Sequence, residues 1–145
     1  MKPGAPFEAF ARAATFGASE GQALGRVTNG SFGLSASVYG FATDGYRANN
    51  RNEQQNANAS LRWGRGESYL DLRFATDKQE LRLPGARRIQ PSTRLDEYAA
   101  DPRGAQTPLD YASRDGMRAG GTLEHRLGDV EFTAGLDRRD KDQRS

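Results

Sequence analysis

The stretch Ser31-Phe32-Gly33-Leu34-Ser35-Ala36-Ser37-Val38-Tyr39-Gly40-Phe41-Ala42 carries an apolar residue or a glycine at every second position: Phe32, Leu34, Ala36, Val38, Gly40 and Ala42. Ser31, Ser35 and Ser37 stand between them. Successive side chains of an extended strand point to opposite faces, so this alternation predicts one face in an apolar medium and the other in water. Downstream the pattern returns as Ala57, Ala59, Leu61 and Trp63 against Asn56, Asn58, Ser60 and Arg62, then as Leu70, Leu72 and Phe74 against Asp71 and Arg73. It recurs as Met117, Ala119, Gly121 and Leu123 against Arg118, Thr122 and Glu124, and as Val130, Phe132, Ala134 and Leu136 against Glu131, Thr133 and Asp137. Upstream, Phe7–Phe16 and Gln22–Thr28 read as two further strands, whose facing the pattern does not assign.

The connections alternate in length. Gly17-Ala18-Ser19-Glu20-Gly21 is tight, and Asn29-Gly30 is a strong hairpin signal. Thr43–Gln55 is a longer polar stretch, Gly64-Arg65-Gly66 is tight, Asp77–Asp115 is very long, and Leu127-Gly128-Asp129 is tight again. Short turns on one rim and longer loops on the other are how outer-membrane barrels are built. The aromatics follow the same plan. Phe32, Trp63 and Phe132 share the apolar parity close to the short-turn rim, and Phe74 is expected near the long-loop end, as two interfacial girdles would be.

Composition argues for a sheet that is ordered but poor in core. Of 145 residues 35% are apolar and 28% charged, with 17 glycines, against roughly 45–50% apolar in an ordinary globular domain. Disorder would bring few aromatics and a large net charge; here aromatics are 9% and the net charge is +2. A sandwich must fill the gap between its sheets with interdigitating bulk, yet Ala36, Gly40, Ala57, Ala59, Ala119, Gly121 and Ala134 occupy the apolar parity. Lipid tails conform to such a surface without leaving a void. The opposite parity carries Arg62, Asp71, Arg73, Arg118, Glu124 and Asp137, which suits a polar lumen or a polar plug. The competing reading is a soluble β-sandwich binding module with those charges on its solvated face.

Several function classes drop away. The pI is near 9.1, but 21 basic residues are interspersed with 19 acidic ones, not the one-signed field that nucleic acid attracts. There is no cysteine, hence no disulfide framework and no thiolate metal site. No window approaches the ~20 apolar residues of a membrane helix. Met1–Pro6 lacks the apolar stretch of a signal peptide and reads as a linker, and Arg138–Ser145 is an abrupt polar end; if the parent protein is exported, the chain is expected to be an internal piece of it. His125, the only histidine, sits on the apolar parity near a tight turn and reads as an interfacial residue. The pairs Asp71/Arg73 and Asp137/Arg138 read as a charged wall, because no pocket-forming motif accompanies them. Asp44-Gly45 and Asp115-Gly116 read as turn chemistry, and no phosphate-cradling glycine pattern occurs. No catalysis, cofactor or metal is expected.

The run Thr43-Asp44-Gly45-Tyr46-Arg47-Ala48-Asn49-Asn50-Arg51-Asn52-Glu53-Gln54-Gln55-Asn56 resembles the second extracellular loop of TonB-dependent outer-membrane receptors. Ala59-Ser60-Leu61-Arg62-Trp63 and Tyr69-Leu70-Asp71-Leu72 are similar to the next hairpin of that family, Leu83-Pro84-Gly85-Ala86 to the opening of its long third loop, and Tyr111–Gly116 to the closing of that loop. The resemblance implies an all-β antiparallel meander of about seven strands, one arc of a 22-stranded barrel, residing in the outer membrane. It implies the lipid bilayer, a plug domain and, through the plug, TonB as partners, and a ferric siderophore or other small nutrient as cargo. It also implies that Gly17–Gly21, Thr43–Gln55 and Asp77–Asp115 lie outside the cell and the tight turns at Asn29, Gly64 and Gly128 in the periplasm. Plug, TonB box and C-terminal strand are absent from this sequence. Another outer-membrane barrel, a porin or adhesin, stands as the alternative. Within the loops, arginines suit the acidic oxygens of iron chelates and tyrosines offer stacking and hydrogen bonds. Tyr46, Arg47, Arg87, Arg88, Tyr98 and Tyr111 are therefore the candidate ligand-binding residues; the loop's own acids Asp96, Glu97, Asp101 and Asp110 are the competing partners of its arginines. A helical turn is expected at Arg94–Ala100.

Overall fold

A computed structural model describes residues 7–90, 92 and 95–145. Residues 1–6, read above as a linker, and Arg94 at the start of the expected helical turn lie outside them. The chain forms one seven-stranded antiparallel sheet whose spatial order follows its sequence order. Its strands are β1 (Phe7–Ala13), β2 (Ser19–Asn29), β3 (Phe32–Thr43), β4 (Asn52–Arg65) and β5 (Ser68–Arg82), then β8 (Tyr111–Leu127) and β9 (Val130–Arg144). Between β5 and β8 the loop holds a two-residue ribbon, β6 (Ile89–Gln90) with β7 (Leu95–Asp96), and one helical turn, α1 (Glu97–Ala100), capped by the Asp96 carboxylate on the Ala99 N–H. The sheet is open, with β1 and β9 at its edges. No helix among the described residues is long and apolar enough to cross a membrane.

The register aligns the alternating residues into rows. Phe32, Trp63, Leu70, Leu123 and Ala134 are successive cross-strand partners, and so are Leu34, Leu61, Leu72, Gly121 and Leu136. β2 joins them through Val27 opposite Leu34 and Ala23 opposite Val38, and β1 through Ala9 opposite Ala23. All seven strands therefore share one apolar face. Among the described residues no side chain is buried. No second layer covers the apolar face: Val38 is 55% exposed and Leu136 81%.

Three connections are two-residue turns: Gly30-Ser31, Gly66-Glu67 and Gly128-Asp129, closed by the pairs Asn29–Phe32, Arg65–Ser68 and Leu127–Val130. Each begins with a glycine at positive φ, between +55° and +61°, as a type II′ hairpin turn requires. Each turn falls one or two residues later than the sequence reading placed it, because the closing residues Asn29, Arg65 and Leu127 still pair. The fourth short connection, Thr15–Ala18 between β1 and β2, sits on the opposite rim beside the long loops.

The expected loops are longer than the real ones. β5 runs on to Arg82 and β8 already begins at Tyr111, so the long loop is 83–110 rather than Asp77–Asp115. Likewise Thr43–Gln55 shrinks to 44–51, and Gly17–Gly21 to the Thr15–Ala18 turn, with β1 ending at Ala13. In these extensions neither face carries an apolar residue at every second position, so the period of two is invisible while backbone pairing continues. Two corrections follow. Phe74, paired with Ala59 and Ala119, lies mid-strand and not near the loop end, and Asp115-Gly116 is strand within β8 and not a turn. The helical turn is confined to Glu97–Ala100.

Candidate functional site

The limits of the apolar face shift from strand to strand. On that face the unbroken run of apolar or glycine residues ends, toward the long-loop rim, at Ala13 in β1, Gly21 in β2, Ala42 in β3 and Ala57 in β4. It ends at Phe74 in β5, Met117 in β8 and Leu136 in β9. Ala13 pairs through Ser19 with Ala42, whereas Leu136 pairs through Gly121, Leu72 and Leu61 with Leu34. The boundary thus descends eight residues of β3 in six strand-to-strand steps. The other boundary moves the same way, from Val27, level with Leu34, to Val130, whose partner Leu127 lies beyond the end of β3.

Above the band the same face changes chemistry. Arg51 is held by Glu53, Arg82 by Glu80 at 2.9 Å, Arg138 by Asp140 at 3.0 Å and Arg144 by Asp142 at 2.9 Å. In each pair the partners stand two residues apart, hence on one face. The hydrogen bond to Glu53 raises the Arg51 pKa above its ordinary value. Exposed pairs of this kind add little stability, because solvent screens them; what they mark is where the apolar band stops. At the other boundary His125 shares this face, its Nδ1 2.9 Å from Ser68 Oγ.

The polar face is knitted by charge. Arg12 pairs with Glu20, Arg73 with Asp71 at 2.8 Å, Arg114 with Asp77 at 2.9 Å and Arg118 with Asp137 at 3.3 Å. Asp137 and Arg138, read together from the sequence, point to opposite faces. A hollow of about 310 Å³ on the polar face is lined by Ser35, Ser37, Asn58, Ser60, Arg73 and Arg118, among others. It contains hydroxyls, amides and paired charges, with no metal-binding cluster among the described residues.

On the long-loop rim the segment 44–51 grips the long loop. Arg47 spends its guanidinium on backbone carbonyls: Nη1 donates to Gly85 O at 2.8 Å, Nη2 to Gly104 O at 3.0 Å and Pro84 O at 3.3 Å, and Nε to Gly104 O at 3.1 Å. Asn49, at φ +50°, donates from Nδ2 to the carbonyls of Leu83, Thr107 and Asp110 at 2.7–3.0 Å. The Ala48 N–H adds a bond to Arg103 O at 2.6 Å. The loop braces itself as well. Gln106 N–H donates to Pro84 O, Thr107 Oγ1 to Leu83 O, and the Arg87 guanidinium, 13% exposed, meets both the carbonyl and the carboxylate of Asp101.

The six candidate residues therefore do not converge. Arg47 and Arg87 hold the loops together, and the Arg88 backbone pairs with Glu97. Tyr98 stands exposed on α1. Tyr111 opens β8 on the apolar-face parity beneath the Arg82 guanidinium, 5.6 Å from its ring. Tyr46 alone heads a cluster open to solvent. Its ring meets Phe16 edge-on at 5.6 Å and lies under the Arg103 guanidinium at 5.3 Å. Asn49 and Phe16 escaped the sequence reading as site residues. For Asn49 a signal existed, since asparagine after a strand tolerates left-handed backbone and bonds nearby carbonyls. No family model, no curated protein and no solved structure matches the chain.

Proposed function

We propose that this chain is part of the barrel wall of a TonB-dependent outer-membrane receptor, serving energised uptake of a ferric siderophore or another small nutrient. In that reading the apolar face meets lipid, the polar face meets the lumen and plug, and the long-loop rim lies outside the cell. The observation that carries it is the slanted band. A bilayer is bounded by two parallel planes, and strands crossing it at a tilt are cut along a diagonal of their register. The boundary moves about 1.3 residues per strand, and with roughly 3.3 Å per residue and about 4.8 Å between strands a level band requires strands inclined by about 40°. Membrane barrels tilt their strands by roughly 35–45°. A second protein layer packed on the face has no reason to respect such planes. The run Asp44–Asn50, with Arg47 and Asn49 bonded to the long loop, favours a receptor over a porin, because it resembles the receptor loop and organises the rim.

The test is leaflet-resolved depth. Cysteines at Ala13, Leu34 and Leu136 are nitroxide-labelled with the chain assembled in lipid vesicles. Leu34 and Leu136 share a row, yet their labels should report opposite leaflets, while Ala13 and Leu136, eight residues apart in register, should report the same one. Equal depth for Leu34 and Leu136, or water at all three, would overturn the reading.

A further inference from the structure

Four short turns join strands in this sheet, and one of them departs from the rule that the others obey. At Gly30-Ser31, Gly66-Glu67 and Gly128-Asp129 the left-handed position is a glycine. Between β1 and β2 the two central residues are Phe16 at φ +60° and Gly17 at φ +66°, with the Ala18 N–H bonded to Thr15 O at 3.2 Å. Two positive φ values make a type I′ turn, whose first central position favours Asn, Asp or Gly. A bulky aromatic there carries a steric penalty that the other turns avoid.

The surroundings hold Phe16 in place. Its carbonyl accepts the Asp44 N–H at 2.9 Å and Thr43 Oγ1 at 3.1 Å, and its ring is set perpendicular to Tyr46. Arg103 is carried over Tyr46 by the loop that Arg47 and Asn49 clasp. Three separate connections thus bring two rings and a guanidinium to one spot. Phe16 is 46% exposed and Tyr46 43%, so the rings still have open surface. Among the described residues Arg103 makes no ion pair. Strain of this kind persists where the surroundings over-determine it, and it clusters at ligand-binding and switch sites.

We propose that Phe16, Tyr46 and Arg103 form a contact site for a flat aromatic group that carries an acidic oxygen, such as an aryl carboxylate. The rings and the guanidinium plane offer stacking surface, and the unpaired N–H groups match an oxyanion. An aliphatic anion would leave the rings wetted, and an aromatic cation would meet like charge. The site deepens the receptor reading and rests on it for which rim faces the ligand.

Salicylate is the probe, titrated against the chain in detergent micelles by calorimetry, with cyclohexanecarboxylate and benzylamine as controls. Salicylate should bind and the controls should bind at least about tenfold more weakly. Arg103→Gln should weaken salicylate by about tenfold. Phe16→Asn, which gives the turn its preferred residue, should raise the thermal midpoint and yet weaken binding about fivefold. A purely structural Phe16 predicts a higher midpoint with unchanged affinity, and that result overturns the proposal. So does an absence of salicylate binding at millimolar concentration, or equal binding of cyclohexanecarboxylate. None of these outcomes would alter the leaflet assignments of Ala13, Leu34 and Leu136.

Discussion

Tyr46 and Arg47 are neighbours in sequence and share chemistry suited to a ligand, but their tasks divide. Arg47 is half-buried, and its forked N–H groups reach three carbonyls on the long loop. Lysine presents one compact ammonium and cannot reproduce that fork. Arg47→Lys and Arg47→Ala should therefore both loosen the loop, by about 2 kcal/mol, since a hydrogen bond to a charged group contributes roughly 1.5–3 kcal/mol. Hydrogen exchange at the Ala48 and Gln106 amides checks this, with protection falling by about 30-fold. Unchanged protection would return Arg47 to the pool of ligand candidates. The sequence could name the motif from Asp44 to Asn50 but not this division. Whether an arginine serves a carbonyl or a ligand depends on Gly85 and Gly104, 38 and 57 residues away, and no local pattern encodes that distance.

β8 is the element whose sequence does most to set its neighbours. On its polar face Arg114, Gly116, Arg118 and Gly120 alternate. Each glycine makes room for a carboxylate from an adjacent strand: a Cβ at Gly116 would collide with Asp77 of β5, and one at Gly120 with Asp137 of β9. Each of those carboxylates then pairs with the arginine two residues before the glycine. The sequence reading caught the alternation from Met117 onward because the apolar parity advertised it. It lost Tyr111–Gly116 and Asp77–Arg82, where neither parity is consistently apolar and the backbone ladder defines the strand. The nesting predicts a coupling. Gly120→Ala should destabilise the sheet by about 1 kcal/mol in the parent chain and be close to neutral when Asp137→Ala removes the obstruction, a coupling of about 1 kcal/mol in a double-mutant cycle. Urea unfolding in micelles reads it, and strictly additive effects would mean that Asp137 sits elsewhere. The ion pair with Arg118 is too exposed, at 65% and 57%, for its loss alone to exceed about 1 kcal/mol.

At the scale of the molecule, the absent interior decides what the sheet needs. A seven-stranded sheet with no buried side chain gains backbone hydrogen bonds, each of net value about 0.5–1.5 kcal/mol, while fixing each residue's backbone costs roughly 1–2 kcal/mol of conformational entropy. In water nothing within the sheet offsets the difference, because the burial that ordinarily does so is missing. The apolar row from Phe32 to Ala134 and its neighbours finds no cover among the described residues, and the two open edges present unpaired backbone groups. This much was readable from the sequence, in the scarcity of bulky aliphatics and the small residues along the apolar parity. The slant of the band was not, since it depends on the register between strands. The prediction is a medium-dependent fold. In detergent-free buffer the chain should associate and show no cooperative thermal transition. Above the critical micelle concentration of a zwitterionic detergent it should show a strand-type circular dichroism spectrum, with Trp63 fluorescence shifted to the blue, because Trp63 lies on the apolar face in the row of Phe32 and Leu70. Detergent with a short chain should support the fold less well than one long enough to cover the band. A monodisperse monomer that unfolds cooperatively without detergent would mean that the apolar face finds its cover within the polypeptide, and the membrane reading would fall with it.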